Sequence, residues 1–590
     1  MLRRRFLQSL VVTVVASACG DEDESPGEGA PGPLVTSAPE QSHKFFPQGV
    51  ASGDPRPSSV ILWTRLEVVA NGVPATGATI SYVIAKDEAL AQVVARGEVK
   101  TSNEQDFTVR LKVEQLEADT VYFYRFHVSG VTTQVGRTRT APAPDADRPV
   151  TFAFASCQDF IGRHYHAWQA LLDEGQELDF VLFLGDYIYE TTGDPSFQSP
   201  TPDREVKLPE GLLLGEEGNV AALTLADYRT LYRTYRGDPV LREVHRRYPF
   251  VLLWDDHEFA NDCWQDHATD FNESKGDEKS TARRTAANQA WAEFQPVDVE
   301  RAAGAEFPKD LTIYRSLSYG KHLDLFVTDQ RLYRSDHVVP EGPSDDAVGK
   351  FSKNTGLGSR NFVLKSGFDP REAAAKPTML GAEQKAWFLE SVKGSKSTWK
   401  LWANEVQLWQ MILDLSSFET LPEEFRGKFY YTCDQWDGYR SERAEILGAL
   451  AGVGNLVACT GDIHGFYAAE LHTDFDAPGA VPVGVEYVVA GVSSQSLREI
   501  TRGAVEGNAV LKGLGLLDLV PQLDEVFLQA NPYLKHADSA ANGVALASVS
   551  AGAFRVTFLR TGDPTKKEDT GVKERKVFQT LAGAATIVAG

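Results

Sequence analysis

Five short apolar runs in this chain each end in carboxylates, a thiol, an amide or a histidine, and no other feature constrains the fold as tightly. Leu178-Asp179-Phe180-Val181-Leu182-Phe183-Leu184 leads into Gly185-Asp186-Tyr187-Ile188-Tyr189-Glu190. A run of this length bounded by turn chemistry reads as a strand buried on both faces, as in parallel sheets. Open α/β sheets bind their ligands beyond the carboxyl ends of such strands. Asp186 has two carboxylate oxygens and can bridge two cations. Tyr189, three residues on, can turn its phenol toward the same point. Alone, a strand followed by Gly-Asp is commonly just a turn. Four further runs give it weight.

Val150-Thr151-Phe152-Ala153-Phe154-Ala155 ends in Ser156-Cys157-Gln158-Asp159. A cysteine in that position is often buried and inert, but this one shortly precedes the Asp186 loop, so both strand ends can face one cleft. Phe250-Val251-Leu252-Leu253-Trp254 ends in Asp255-Asp256-His257-Glu258-Phe259-Ala260-Asn261-Asp262, four acidic residues and a histidine within eight positions. Such a cluster repels itself unless it is solvated or bound to cations, and the apolar strand feeding it favours cations. Leu401-Trp402-Ala403-Asn404-Glu405 presents an amide oxygen at a further strand end. Asn455-Leu456-Val457-Ala458-Cys459-Thr460-Gly461 closes on Asp462-Ile463-His464, whose alternation lets both outer side chains reach one site. Cys459, inside that strand, reads as core.

Together these motifs resemble the calcineurin-like metallophosphoesterases, whose pattern runs Asp-x-His, Gly-Asp-x-x, Gly-Asn-His-Asp/Glu, a single histidine and Gly-His-x-His. Tyr189 resembles the tyrosinate that binds ferric iron in purple acid phosphatases. Departures from the pattern are specific. Cys157 stands where an aspartate is expected, Asp256 replaces the asparagine, Asn404 the single histidine, and Asp462 the first histidine of the last motif. Phe-Ala-Ser-Cys-Gln, Gly-Asp-Tyr-Ile-Tyr-Glu, Trp-Asp-Asp-His-Glu and Thr-Gly-Asp-Ile-His are instead similar to the PhoD-type alkaline phosphatases. The likeness extends to the stretches Phe46 to Pro55, Leu380 to Gln384 and Asp434 to Tyr439, covering the chain from about 45 to 560. It implies an α/β (α+β) metallophosphoesterase fold: two stacked mixed sheets flanked by helices, behind a small all-β domain.

The donor types allow a separate argument about metals. Cys157, Asp186, Tyr189 and His464 form an electron-rich set able to carry three negative charges, which suits a trivalent ion; the resemblance implies Fe3+. Asp186, Asp256, Asn404 and Asp462, with Asn261, form an oxygen-only set, which favours calcium, magnesium or manganese over zinc. The resemblance implies Ca2+ there, one ion or two, with Mn2+, Mg2+ or Zn2+ as alternatives. It implies hydroxide, acidified by the cations, attacking phosphorus, with Asp186 and His257 as the catalytic residues. His257 is expected to act as general acid or transition-state stabiliser, or else to orient Asp256. The expected activity is alkaline phosphatase and phosphodiesterase, hydrolysing phosphate mono- and diesters for phosphate acquisition. A dedicated diesterase or phospholipase D-like enzyme, acting on phospholipids or teichoic-acid-like polymers, is the enzymatic alternative. A surface adhesion module with structural metals is the other.

The remaining sequence places these motifs. Arg3-Arg4-Arg5-Phe6-Leu7-Gln8 and the small, apolar residues after it read as a twin-arginine export signal over 1–19, with the translocase as partner. Ala16-Ser17-Ala18-Cys19-Gly20 resembles a lipobox, making Cys19 a candidate for lipidation. Residues 20–43 are acidic and rich in Pro, Gly and Ser, and read as a disordered tether. The protein is then expected outside the cytoplasm as a monomer: periplasmic, membrane-anchored or secreted. Short alternating strands over 44–141 predict an immunoglobulin- or fibronectin-like sandwich, with a tyrosine corner at Tyr122. The catalytic domain is expected over 149–560, followed by a C-terminal segment over 561–590. Arg236, in a helical stretch from Asp227 to His245, is a candidate substrate-binding residue. A net charge of −23 argues against a nucleic-acid partner held by phosphate neutralisation. Cys263 and Cys433 both fall in loops, and their pairing is left open.

Overall fold

The computed structural model describes residues 11–12, 39–68, 76–195, 197–214, 218–268, 279–302, 304–339, 360–419, 421–477, 479–507 and 509–590. Cys19 and nearly all of the expected export signal lie outside them. The expected tether ends earlier than its composition suggested, because Pro39–Phe45 forms a helix, α1. Proline is pre-organised for the first helical position, and Phe46 just beyond it is buried against the first sheets.

Strands β1 (Val50–Arg56), β2 (Ser59–Arg65) and β3 (Thr108–Glu114) pack against a second sheet containing Gly77–Ala85, Val93–Ser102 and Val121–Val128. Leu62, Leu111, Ile80, Tyr82, Tyr124 and Phe126 fill the space between them. This is the predicted sandwich. Tyr122 forms its corner, its hydroxyl accepting the Glu117 backbone N–H at 2.9 Å.

The sandwich is not a bead on a linker. After the linker come β4 (Val150–Ala155), helix α2 (His166–Glu174), β5 (Phe180–Leu184), helices α3 (Leu225–Tyr235) and α4 (Pro239–Arg247), and β6 (Pro249–Leu253). Strand β1 pairs in parallel with β6, Ser52 opposite Pro249 and Phe250 opposite Gly53. The two sequence domains therefore share one large sheet, ordered β3-β2-β1-β6-β5-β4 in its first part. Gly53 permits the join: a Cβ there would lie 2.1 Å from the Pro296 carbonyl oxygen. The helical stretch from Asp227 to His245 splits in two, because Asp238 caps α4 through the N–H groups of Val240 and Leu241 and Pro239 opens it.

A second, seven-stranded sheet contains the parallel set β7 (Leu323–Val327), β8 (Trp399–Asn404), β9 (Leu456–Thr460) and β10 (Gly484–Val488). Helix α5 (Leu497–Glu506) follows, and β11 (Gly543–Val549) returns antiparallel to β4. Residues 553–561 and 572–581 extend the large sheet beyond β11, so the C-terminal segment is part of that sheet. The sheets stack through large side chains: Phe180 lies 4.8 Å from Phe152 on the neighbouring strand and 4.4 Å from Tyr319 in the facing sheet. Each fully buried side chain of this size contributes about 1.5–3 kcal/mol. At their carboxyl ends the sheets meet, Ser156 bridging to Gly491.

Candidate metal centre

The strand ends turn sharply. Cys157, Asp186, Asp462 and His464 all adopt left-handed backbone, with φ of 57°, 57°, 64° and 52°. Non-glycine residues seldom hold this conformation, and here it aims side chains from both sheets into one cleft. Backbone bonds lock the first two turns together: Cys157 N–H donates to Gly185 O at 3.1 Å and Gln158 N–H to Asp186 O at 3.0 Å. Gly185, at φ 101°, leaves no room for a side chain, since a Cβ would sit 2.5 Å from that of Asp255.

Glu258 fastens the third turn to the second. Its buried carboxylate accepts the N–H groups of Asp186 (3.0 Å), Tyr187 (2.7 Å) and Asp255 (2.8 Å). It is a structural member of the acidic run.

Ligand atoms of Cys157, Asp186 and His464 lie within 4.8 Å of one another. The Tyr189 hydroxyl joins them, 3.3 Å from Asp186 Oδ2 and 3.4 Å from His464 Nε2, and is braced at 2.6 Å by Ser494 Oγ. Three further groups share corners with this one: Asp186 with Asp256 and His257; Asp256 with Asp255 and Asp462; and Asp256 with Asp262 and Asp434. The thiol-and-phenol set and the carboxylate set read from the sequence are thus neighbours, joined through Asp186 and Asp256.

These residues fit cations. Asp186 Oδ1 is buried with no hydrogen-bond partner among the described residues, an orphaned carboxyl oxygen within the donor set. His464 Nδ1 is engaged by the Gln495 carbonyl at 2.6 Å, which leaves Nε2 for a metal. Burial lowers His464 to about 4, keeping it in the neutral form that ligation requires. Burial, reinforced by the neighbouring carboxylate of Asp186, pushes the Cys157 thiol and the Tyr189 phenol well up. Burial and the charges of Asp256, Asp255 and Glu258 raise Asp186 likewise, though His257 opposes them.

One cation is built in. Arg331 is fully buried, with Nε 2.5 Å from Asp255 Oδ1, Nη1 2.8 Å from Asp434 Oδ2, and Nη2 3.5 Å from both Asp256 and Asp462. Burial opposes ionisation of Asp256 and Asp434, but Arg331, aided by His257 at Asp256 and by Arg334 at Asp434, outweighs it and lowers both. Asp255 and Asp262 rise, mainly by burial, to about 6 and about 7.

His257 stands at the edge of the cluster. Its Nδ1 contacts Glu190 Oε2 at 2.6 Å, and its ring centroid lies 4.1 Å from that of Tyr189. Burial disfavours its charge, but Glu190, Asp256 and Asp186 prevail and raise it well above its ordinary value.

Two candidates need correction, and a third, Asn261, lies at the margin of the cluster. Asn404 is not free to ligate. Its Oδ1 accepts from Gln330 Nε2 (2.8 Å) and Trp436 Nε1 (3.1 Å), and its Nδ2 donates to the Val406 carbonyl and Thr460 Oγ1. Both lone pairs of its oxygen are spent on holding the end of β8. Arg236 is wholly buried, stacked 4.0 Å over the Trp63 ring and bonded to Tyr187 and Gln295 at 3.3 Å each. It follows the last turn of α3 into the seam between sandwich and sheet, where no substrate reaches. Asn261 sits on the exposed rim, its backbone N–H donating to Glu190 at 2.7 Å.

Sequence reasoning missed Arg331, Asp262, Asp434 and Ser494 as members of the site. Asp262 closes the acidic run that follows β6, and Asp434 opens the stretch that ends at Tyr439, so both were within sight. Arg331 and Ser494 gave no local signal. Cys157, Cys263, Cys433 and Cys459 are all buried and unpaired, so Cys263 and Cys433 do not form a disulfide.

Two mixed α/β sheets with a cation-ready cluster across their carboxyl ends define a metallophosphoesterase. Residues 152–558 match the model of the PhoD-like phosphatase family, and residues 33–142 that of the PhoD-like phosphatase N-terminal domain. Alkaline phosphatase D of Bacillus subtilis (strain 168) is 32% identical over 471 residues, which cover 78% of this chain and 71% of that protein. A solved structure of PhoD superposes with a TM-score of 0.71 at 26% identity, covering 92% of each chain. The chain belongs to the PhoD-like phosphatase family and is a phosphoric ester hydrolase. Among the described residues no helix is long and apolar enough to cross a membrane.

Proposed function

We propose that the chain is an exported alkaline phosphatase and phosphodiesterase that releases phosphate from mono- and diesters, using Fe3+ and Ca2+. The observation that carries the reading is the convergence of Cys157, Asp186, Tyr189 and His464 around an orphaned Asp186 oxygen. Thiolate, phenolate, carboxylate and imidazole together suit ferric iron. Asp186, Asp256, Asp262, Asp434 and Asp462 offer oxygen alone and suit calcium. Cations bound at these positions supply Lewis acidity toward phosphoryl oxygens and acidify water.

The chain's own residues do the rest. Asp186 and Asp256 join the two donor sets and fix where the phosphoryl group sits. Arg331 holds Asp255, Asp256, Asp434 and Asp462 in register from behind. His257, whose protonated form Glu190, Asp256 and Asp186 favour against burial, gives its proton to the departing oxygen as water displaces that oxygen from phosphorus. The arginine-led N-terminus supports twin-arginine export, with Cys19 as the lipid anchor, and phosphate acquisition as the purpose.

Hydrolysis of p-nitrophenyl phosphate and bis-p-nitrophenyl phosphate by the metal-loaded protein, before and after chelation, tests the reading. Turnover of both esters, lost on chelation and restored by calcium, is expected. Turnover of the diester alone would replace it with a dedicated diesterase, and turnover of neither would overturn it.

A further inference from the structure

The carboxylate of Glu190 is fully buried and pairs with the imidazole of His257, the one titratable partner of its side chain among the described residues. Glu190 Oε2 lies 2.6 Å from His257 Nδ1, and Glu190 Oε1 accepts the backbone N–H of Asn261 at 2.7 Å. One side chain thus grips the ring of His257 with one oxygen and its loop with the other. The loop is also pinned from within, since the His257 N–H donates to Asp256 Oδ1 at 2.9 Å. Ring faces complete the clamp: Tyr189 at 4.1 Å and Phe197 at 6.3 Å, centroid to centroid. Glu190 in turn is anchored by its own carbonyl, which accepts the Ala222 N–H at 2.8 Å.

Nδ1 is the ring nitrogen engaged by Glu190, which leaves Nε2 as the ring nitrogen free for another partner. Rotation of the ring about its two side-chain torsions would break the bond to Glu190 and collide with Tyr189. We propose that Glu190 is a positioning residue of the phosphatase, which fixes the orientation of His257 so that Nε2 meets the leaving-group oxygen. The proposal rests on the functional reading above, and makes Glu190 act on catalysis through the ring and loop of His257.

That restriction gives it a signature. A residue that merely supports the fold lowers turnover of every substrate alike. A residue that aims the proton donor matters in proportion to how much the departing oxygen needs a proton. The test compares Glu190→Gln with wild type, both metal-loaded, on p-nitrophenyl phosphate, which leaves readily as the anion, and on glycerol phosphate, which does not. Turnover of glycerol phosphate should fall about 10–100-fold, the usual effect of removing a partner that orients a site residue. Turnover of p-nitrophenyl phosphate should fall less than about threefold, with KM and metal content unchanged for both. In a His257→Ala background, Glu190→Gln should add nothing. Glu190→Asp, which keeps the charge, should recover part of the loss, and it carries the same comparison if the glutamine variant does not fold.

Equal losses on both esters, additive losses in the double variant, or release of metal would overturn the proposal while leaving the phosphatase reading intact. A wild-type protein that hydrolyses neither ester would overturn both.

Discussion

Replacing Glu258 tests whether the acidic run is built as described. Its carboxylate is the acceptor for three backbone N–H groups on two different strand-end turns, at 2.7–3.0 Å. A buried N–H stripped of its acceptor costs about 1–3 kcal/mol, so Glu258→Ala should cost about 3–6 kcal/mol, allowing some relaxation toward water. Glu258→Gln is the internal control. With its single oxygen in the place of Oε2 it keeps the bonds from Asp186 and Asp255 and turns an NH2 group toward Tyr187 N–H. One bond of three is then lost, a cost of about 1–3 kcal/mol. Urea unfolding followed by tryptophan fluorescence measures both variants, and metal retention on dialysis measures the Asp186 turn, where a loss of about 10–100-fold in affinity is expected for the alanine variant. Equal costs for the two variants, or a cost below about 1 kcal/mol for alanine, would refute the stapling role.

Three further outcomes follow from the geometry. Arg236→Met should leave kcat and KM within about twofold and change unfolding free energy by less than about 2 kcal/mol, because the buried guanidinium packs on Trp63; a tenfold rise in KM would return it to the substrate site. Asn404→Ala should cost about 2–4 kcal/mol through its lost hydrogen bonds while metal content stays constant; loss of one metal equivalent would restore it as a ligand. The chelated protein should lose thermal stability as pH rises above about 6.5. Burial holds Asp255 and Asp262 near 6 and 7 against an ordinary 3.8. Each binds its proton more tightly folded than unfolded, so the stability these two contribute is fully present below about 4 and lost as pH rises through 7, while His464, lowered from 6.5 to about 4, works in the opposite sense until it is neutral in both states. Thermal melts at pH 5 to 8 with and without chelator check this, the metal-loaded protein being free of the decline.

Much of the site was legible because each ligand follows its own apolar strand. Cys157, Asp186, Tyr189, Asp462 and His464 stand where a buried parallel strand must end, and strand direction alone brings such ends together. Side chains that meet across the sheets left no such trace. Arg331 lies in a loop after β7 and meets Asp434 from another part of the chain, a pairing that no local pattern encodes. Asn404 sits at the expected strand end, yet Gln330 and Trp436 consume its oxygen. Arg236 falls at a helix end, where periodicity does not tell a buried face from a wet one. Shared-sheet pairing of β1 with β6 depends on one glycine, Gly53, whose role appears only when the neighbouring backbone is in place.

The most direct test of the account is elemental analysis of the protein purified from its native host, read together with its visible spectrum and its activity before and after calcium chelation. Iron near one equivalent, a thiolate or tyrosinate charge-transfer band, and activity lost on chelation and restored by calcium are expected. The band should disappear in Tyr189→Phe or Cys157→Ser. Zinc or manganese in place of iron and calcium, with no such band, would contradict the assignment of Cys157, Asp186, Tyr189 and His464 as a ferric site.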